Sequence, residues 1–480
     1  MAAPFETRLF INGQYVAAKS SERLKIYNPT DDSLVTDDVH VAGQEDVDAA
    51  VAAARAAFPA WAATPAGERA AILYKFADLI EANTEAIGAL NTMCSGQIKL
   101  MTSRFEPKLG ARYLRYYAGW CDKLLGEVNP SSDGIMSIIT HEPLGVCAAI
   151  CPFNAPLQTI CIKTAPALAA GNTVILKSSE KTPLSALLVA RLAKEAGFPN
   201  GVFNVISGAG STGALLASHM DINKVSFTGS SATGRKIAQM AAQSNLKRVQ
   251  LELGGKSPAI IFPDADLAVA VEWCIRGFTT ISGQACITTS RLYVHKSIRE
   301  QFLAALKEGL KQVEAALGDP SKDNVLFGPL VDKIQFERVK AFLESGKQEA
   351  TLAYGGEQVG TQGCFIRPTI FVDSKPDAKI YKQEIFGPVT VVNDFEDEDE
   401  VIGRANDTEF GLSGAVFSQD INRALRVASR IHSGTVCVNC SMQNQVEVPF
   451  GGVKSSGWGR ENGKNGIMAY TEPKTTFIRL

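Results

Sequence analysis

Between residues 135 and 254, short apolar runs alternate with stretches of helical period, and glycine turns fall between many of them. The runs at 135–141 and 145–150 read as strands, as do 173–177, 202–206 and 224–229. Helical spacing fills 183–196, 212–220 and 234–242. Strand, turn and helix repeated in this order predict a doubly wound parallel sheet, because parallel neighbours need a long crossover that a helix supplies. Ahead of this unit, Asn12-Gly13 predicts a tight hairpin within 10–16. Val47, Val51, Ala54 and Phe58 share one stripe of a helix opening at Asp46. A second helix is expected after Pro65, through Ile72, Phe76, Leu79, Ile80, Ile87 and Leu90, and a third over 105–125. Beyond residue 255 a second α/β unit is expected, with helices at 265–278 and 298–317 and strands at 291–294, 370–372, 389–392 and 435–438. Glu396 to Glu400 reads as a helix N-terminus and solvated surface, where acidic groups suit the helix dipole.

A chain of 480 residues exceeds one ordinary core, so two or three domains are expected. Its mean hydropathy of +0.02 is that of a globular protein. A net charge of -2 gives no electrostatic reason to expect nucleic acid or an anionic membrane surface. No apolar run is long enough to span a bilayer, and residues 1–8 lack the apolar core of a signal peptide. The ten cysteines are scattered through apolar segments, which suits a reducing compartment; the expected location is cytoplasmic. Cys437-Val438-Asn439-Cys440 has no second pair or nearby histidines to complete a zinc site and reads as structural, as do Cys147 and Cys151. Five histidines with no spaced cluster predict no metal centre.

Chemistry gathers in six short stretches. Gly283-Gln284-Ala285-Cys286 places a thiol on a turn, with a backbone N–H beside it that can receive an oxyanion. Taken alone, Cys286 reads equally as a small buried apolar residue. Pro152-Phe153-Asn154-Ala155-Pro156 holds an amide donor between prolines, or simply a turn-forming asparagine. Lys177-Ser178-Ser179-Glu180 lies at the carboxyl end of a strand, the edge where nucleotides bind in open α/β sheets. Phe227 to Gly234 runs from a strand through a glycine turn into a helix, where free N–H groups suit a pyrophosphate, although the stretch is not GxGxxG. In Gln250-Leu251-Glu252-Leu253-Gly254-Gly255-Lys256, period-two alternation sets Glu252 opposite Leu251 and Leu253, as a base or as half of an ion pair. Glu384-Ile385-Phe386-Gly387-Pro388 puts an acid and an aromatic ring two positions apart before a strand.

Together with Pro449–Gly452, these stretches resemble the NAD(P)-dependent aldehyde dehydrogenase superfamily over essentially the whole chain. Residues 116–120, 244–249 and 470–475 are most similar to the retinal/acetaldehyde type of that superfamily. The resemblance implies a Rossmann-like cofactor domain over 1–124 and 144–254 and an α/β catalytic domain over 255–448. It also implies a connecting segment at 449–466, and a small β element from 125–143 and 467–480 that forms a homodimer or homotetramer. It casts Cys286 as nucleophile, Asn154 with the Cys286 N–H as oxyanion hole, and Glu252 as the base that activates water. Lys177 and Glu180 match the adenosine-ribose ligands, Gly229, Ser230 and Gly234 the pyrophosphate region, and Glu384 with Phe386 the grip on the nicotinamide ribose. Glu180 would repel a 2′-phosphate, so NAD is expected over NADP, with Lys177 leaving NADP open.

The substrate tunnel is implied at Phe153, Ala155, Ile162, Asn444 and Phe450. Ala155, Ile162 and Asn444 stand where that type usually carries aromatic rings, and Gln158, Gln445 and Glu447 lie nearby. A small-molecule aldehyde bulkier or more polar than acetaldehyde is expected, oxidised to its acid through a cysteine hemithioacetal and thioester. The alternatives are a cofactor-independent thioester or ester hydrolase using the same Cys286 and Glu252, and a non-catalytic homologue.

Overall fold

Five parallel strands frame the first half of the protein, whose computed structural model describes residues 5–480. The reading of residues 1–8, and the domain limit at residue 1, therefore lie partly outside the described residues. Across the sheet the strands run Arg248–Glu252, Lys224–Thr228, Val146–Ile150, Thr173–Lys177 and Phe203–Ile206. Numbered along the chain, this is the order 5-4-1-2-3. The winding reverses between Val146–Ile150 and Lys224–Thr228, and ligands bind outside the carboxyl ends of strands at such a reversal. The predicted hairpin, Leu9–Ile11 with Gln14–Val16, closes one edge antiparallel to Phe203–Ile206.

The second sheet has seven strands. Thr369–Val372, Val389–Phe395, Thr289–His295, Ser257–Ile261, Ser413–Phe417 and Thr435–Val438 are parallel, and Thr351–Tyr354 is an antiparallel edge. A smaller antiparallel sheet sets Ile135–Pro143 between Glu127–Ser132 and Thr471–Arg479. No helix among the described residues is long and apolar enough to cross a membrane.

Several elements differ from the sequence pattern. The helix expected after Pro65 is two, Ala66–Ala82 and Thr84–Ser95, because Asn83 leaves helical geometry at φ -108 and ψ 20. Asn83 Nδ2 donates to the Leu79 carbonyl, so its side chain helps to close the first helix. The helix expected over 105–125 stops at Ala118, ahead of Gly119. Segment 449–466 does more than connect: Gly457–Trp458 pairs antiparallel with Leu251 and Glu252 at the edge of the first sheet. Gly457 has φ 119, and a Cβ there would run into the Leu251 carbonyl, so only glycine lets this edge approach.

Candidate active site

Leu251 and Leu253 enter one apolar layer with Phe227 and Ile237. Alternation along the strand therefore turns Glu252 the other way, as the sequence predicts. There it meets the Cys286 thiol, carried on the turn ahead of the second sheet's strand Thr289–His295, and each group shifts the other's ionisation. The Gly254-Gly255 turn permits this approach. A Cβ on Gly255 would strike the Cys286 carbonyl, and one on Gly254 would strike the Glu384 carboxylate.

The turn that presents Cys286 is more strained than one glycine implies. Ile281, Ser282 and Gly283 have φ of 54, 54 and 72, so two residues with side chains precede the glycine in the left-handed region. Neighbours hold the turn: Ser282 Oγ donates to the Gly328 carbonyl at 2.7 Å, and Thr288 Oγ1 donates to the Ala285 carbonyl at 2.6 Å. Gln284 Oε1 accepts from the Val331 N–H at 3.0 Å. A Cβ at Gly283 would overlap the backbone of Gly387 and Pro388.

Burial first, and the nearby Glu461 charge second, push the Glu252 carboxyl up to about 8. Glu461 forms a buried ion pair with Lys163 at 2.6 Å, and Lys163 also donates to Ser226 Oγ at 3.0 Å. Glu252 Oε1 is buried with no hydrogen-bond partner, a costly state for a carboxylate and a ready one for an acceptor of protons. The Cys286 thiol is held well above its ordinary range by burial first and by the Glu252 charge second. The pair therefore rests largely protonated at neutral pH, with a base beside the nucleophile.

Asn154 is aimed at the same point. Its Nδ2 donates to the Gln284 carbonyl at 2.8 Å, which fixes the amide and leaves its second N–H free of that bond. The Asn154 backbone carbonyl accepts from Gln97 Nε2 at 2.8 Å. The helix that follows, Pro156–Ala169, is capped by Glu106, whose Oε1 accepts from the Gln158 N–H at 3.0 Å. Burial raises the Glu106 carboxyl to about 7.

From these three residues a cavity of about 800 Å³ extends along the carboxyl ends of the first sheet to Lys177 and Glu180. Lys177 Nζ lies 3.8 Å from Glu180 Oε2, and burial lowers its affinity for a proton. Gly229 and Ser230 line the middle, where the helix Ser231–Gln243 begins and Ser230 Oγ accepts from the Thr233 N–H at 3.2 Å. A Cβ at Gly229 would collide with the Phe227 ring. Glu384 and Phe386 line the cavity from the second sheet's side, and burial raises the Glu384 carboxyl to about 7. Its Oε1 accepts from the Gly255 N–H at 2.9 Å. Phe386 holds φ 59. An elongated cleft with a helix N-terminus midway and an unpartnered Thr228 hydroxyl on its wall fits a dinucleotide.

Most of the residues singled out in the sequence thus meet, but not all. Gly234 does not line the cavity; it lets the helix pack on Leu253, whose side chain a Cβ would overlap. Phe153, expected in the substrate tunnel, lines this same cavity, edge-on to Phe386 with ring centroids 5.8 Å apart. Ala155, Ile162, Asn444 and Phe450 lie outside its lining. Ile162 is buried in the apolar core, and Asn444 Oδ1 accepts from Asn462 Nδ2 at 2.6 Å. Sequence reasoning missed Gln335 and Arg338, which line the cavity from the helix Lys333–Glu349. The signal for that helix was Asp332, its N-cap, ahead of the apolar positions Phe336, Val339, Phe342 and Leu343.

Residues 15–476 match the family model described as "Aldehyde dehydrogenase family". The chain belongs to the aldehyde dehydrogenase family. An aldehyde dehydrogenase of Rattus norvegicus named "cytosolic 1" is 43% identical over 479 residues, 99% of this chain and 95% of its own. An aldehyde dehydrogenase of Bacillus cereus, solved as its NAD+ complex, superposes with a TM-score of 0.97 at 41% identity, covering 100% of this chain and 97% of its own. An indole-3-acetaldehyde dehydrogenase of P. syringae, a cysteine-to-alanine variant solved with NAD+ and IAA, gives a TM-score of 0.97 at 38% identity, covering 100% and 98%. The aldehyde dehydrogenase fold is thus that of the whole chain, with doubly wound and catalytic α/β units.

Proposed function

We propose that this aldehyde dehydrogenase oxidises an aldehyde to its carboxylic acid with NAD, through a covalent adduct on Cys286. The observation that carries the proposal is the meeting of Cys286, Glu252 and Asn154 at one end of a dinucleotide-sized cleft. Bound in that cleft, NAD supplies the hydride acceptor. Lys177 and Glu180 would hold its adenosine ribose, Gly229 and Ser230 its pyrophosphate, and Glu384 with Phe386 its nicotinamide ribose.

The protein's own groups then do the following. Glu252 accepts the Cys286 proton, and the thiolate attacks the carbonyl carbon to give a hemithioacetal. The Asn154 N–H and the Cys286 N–H donate to the oxyanion. Once the substrate carbon has lost hydride, the acyl group stays on Cys286 as a thioester. Glu252 gives that proton up to solvent and next takes one from water, whose oxygen attacks the thioester; the acid leaves, and the departing thiolate recovers the proton from Glu252. The sum is aldehyde, NAD+ and water in, carboxylic acid, NADH and a proton out.

The substrate is an aldehyde bulkier or more polar than acetaldehyde, in keeping with Ala155, Asn444 and the polar side chains of Gln158 and Gln445 around the implied tunnel. The retention of Glu180 at the adenosine end favours NAD over NADP. Steady-state rates on an aldehyde panel with each coenzyme check both statements. Larger or oxygenated aldehydes are expected to exceed acetaldehyde in kcat/KM, and NAD to exceed NADP by about tenfold or more. A clear preference for acetaldehyde, or for NADP, would overturn the corresponding part. NAD-independent hydrolysis of thioesters as the main activity would favour the hydrolase reading instead.

The small β sheet is the proposed assembly surface of a cytoplasmic homodimer or homotetramer. Thr471–Arg479 is a sheet edge bearing Phe477, 73% exposed, on the face it shares with the exposed Ile135. Native mass spectrometry is expected to give dimer or tetramer for the unaltered chain and a shift towards monomer for Phe477→Asp; a monomeric unaltered chain would remove this surface's role.

A further inference from the structure

Lys181 follows Glu180 on the loop after Thr173–Lys177, and its side chain reaches across to the other α/β unit. Its Nζ lies 2.7 Å from Asp332 Oδ2, with the two side chains only 19% and 30% exposed. Asp332 is the N-cap of Lys333–Glu349, its Oδ1 accepting from the Gln335 N–H at 2.8 Å. That helix holds the segment expected at the nicotinamide end. Gln335 Nε2 donates to the Phe386 carbonyl at 2.7 Å, and Arg338 donates to the Glu384 carbonyl at 2.8 Å. Lys181 Nζ also stands 5.0 Å from the centroid of the Phe153 ring, and Phe153 in turn meets Phe386. One ammonium group therefore ties the Lys177–Glu180 loop, the Phe153 turn and the helix behind Phe386 together around a single cleft.

We propose that Lys181 is a latch across the coenzyme cleft, whose pairing with Asp332 and cover over Phe153 set the rate at which reduced coenzyme leaves. The proposal rests on the coenzyme reading given above. Separating the two α/β units at this point breaks the ion pair and the cation–π contact in one movement, so both oppose opening together. Neither interaction touches the reacting sulfur, and in many enzymes opening for product release, not chemistry, limits turnover. Asp332 is suited to a test because asparagine caps a helix as well as aspartate does. Asp332→Asn removes the charge and keeps the helix start.

Stopped-flow displacement of NADH by excess NAD measures the step directly. Lys181→Met and Asp332→Asn are each expected to speed NADH release by about three- to tenfold. The double variant is expected to be no faster than the faster single one, because both changes remove the same link. Lys181→Arg, which keeps the charge and the stacking, should restore slow release. Added salt should speed release from the unaltered enzyme and have little effect on Lys181→Met. Release within twofold of the unaltered rate in both single variants, or additive effects in the double one, would overturn the latch. An unaltered protein that binds no NADH would instead overturn the coenzyme reading itself, and the latch with it.

Discussion

Cys286→Ala is expected to lower NAD-dependent aldehyde oxidation by at least about 10⁴-fold in kcat. No other thiol can take over. Of the ten cysteines, eight are buried, and of the two partly exposed only Cys286 lines the cavity. Burial pushes Cys147 and Cys151 up to about 12, so they are inert as nucleophiles. The Cys286 thiol is itself raised well above its ordinary range, so a spontaneously formed thiolate does not explain its reactivity. What singles it out is the carboxylate within reach to take its proton. Cys286→Ser keeps the shape but needs the same base to ionise a far weaker acid, and is expected to fall almost as far. Rates followed at the reduced nicotinamide band check both variants.

Glu252→Gln is expected to slow release of the acid by about 10²- to 10³-fold. Glutamine keeps the length and fills the same buried site, but it accepts no proton from water. The acyl group should then accumulate on Cys286, because removing the Glu252 charge that raises the thiol lets it lose its proton to solvent more readily, so acylation is slowed less than release. The pH profile follows from the same carboxyl. With its pKa near 8, only a minor fraction of Glu252 is ionised at neutral pH, so turnover should climb as the pH rises and level off above about 8. Glu252→Gln should lose that limb. Stability moves in the opposite sense. A carboxyl raised from 4.5 to about 8 by folding binds its proton more tightly in the folded state, so folded stability falls as pH rises across that interval. Glu252→Gln, with no charge to bury, should be relatively more stable than the unaltered protein at the alkaline end of it.

The two units of the fold were legible where apolar runs are clean and bounded. Residues 183–196 emerged as the helix Pro183–Ala196, and the predicted strand 173–177 as Thr173–Lys177. Ser257–Ile261 was not, because its second residue is proline, which argues against a central strand. The register shift between Ser257 and Pro258 is how the sheet tolerates it. Ser413–Phe417 is buried on both faces and shows no alternation to mark it. At the site, Glu252 could be oriented from Leu251 and Leu253 alone, since a strand's period is two. The three left-handed residues before Cys286 could not, since Ile281 and Ser282 take that conformation under restraint from the chain around them. The link from Lys181 to Asp332 was equally hidden, because it joins positions about 150 residues apart through tertiary structure.

The central claim is that one sulfur carries the acyl group and one carboxylate releases it. Intact-protein and peptide mass spectrometry on Glu252→Gln, after incubation with NAD and a substrate aldehyde, tests it most directly. The account predicts an added acyl mass on the peptide bearing Cys286, appearing only with both NAD and aldehyde present and matched by stoichiometric NADH. Continued turnover with no adduct, or an acyl group on any other residue, would contradict it.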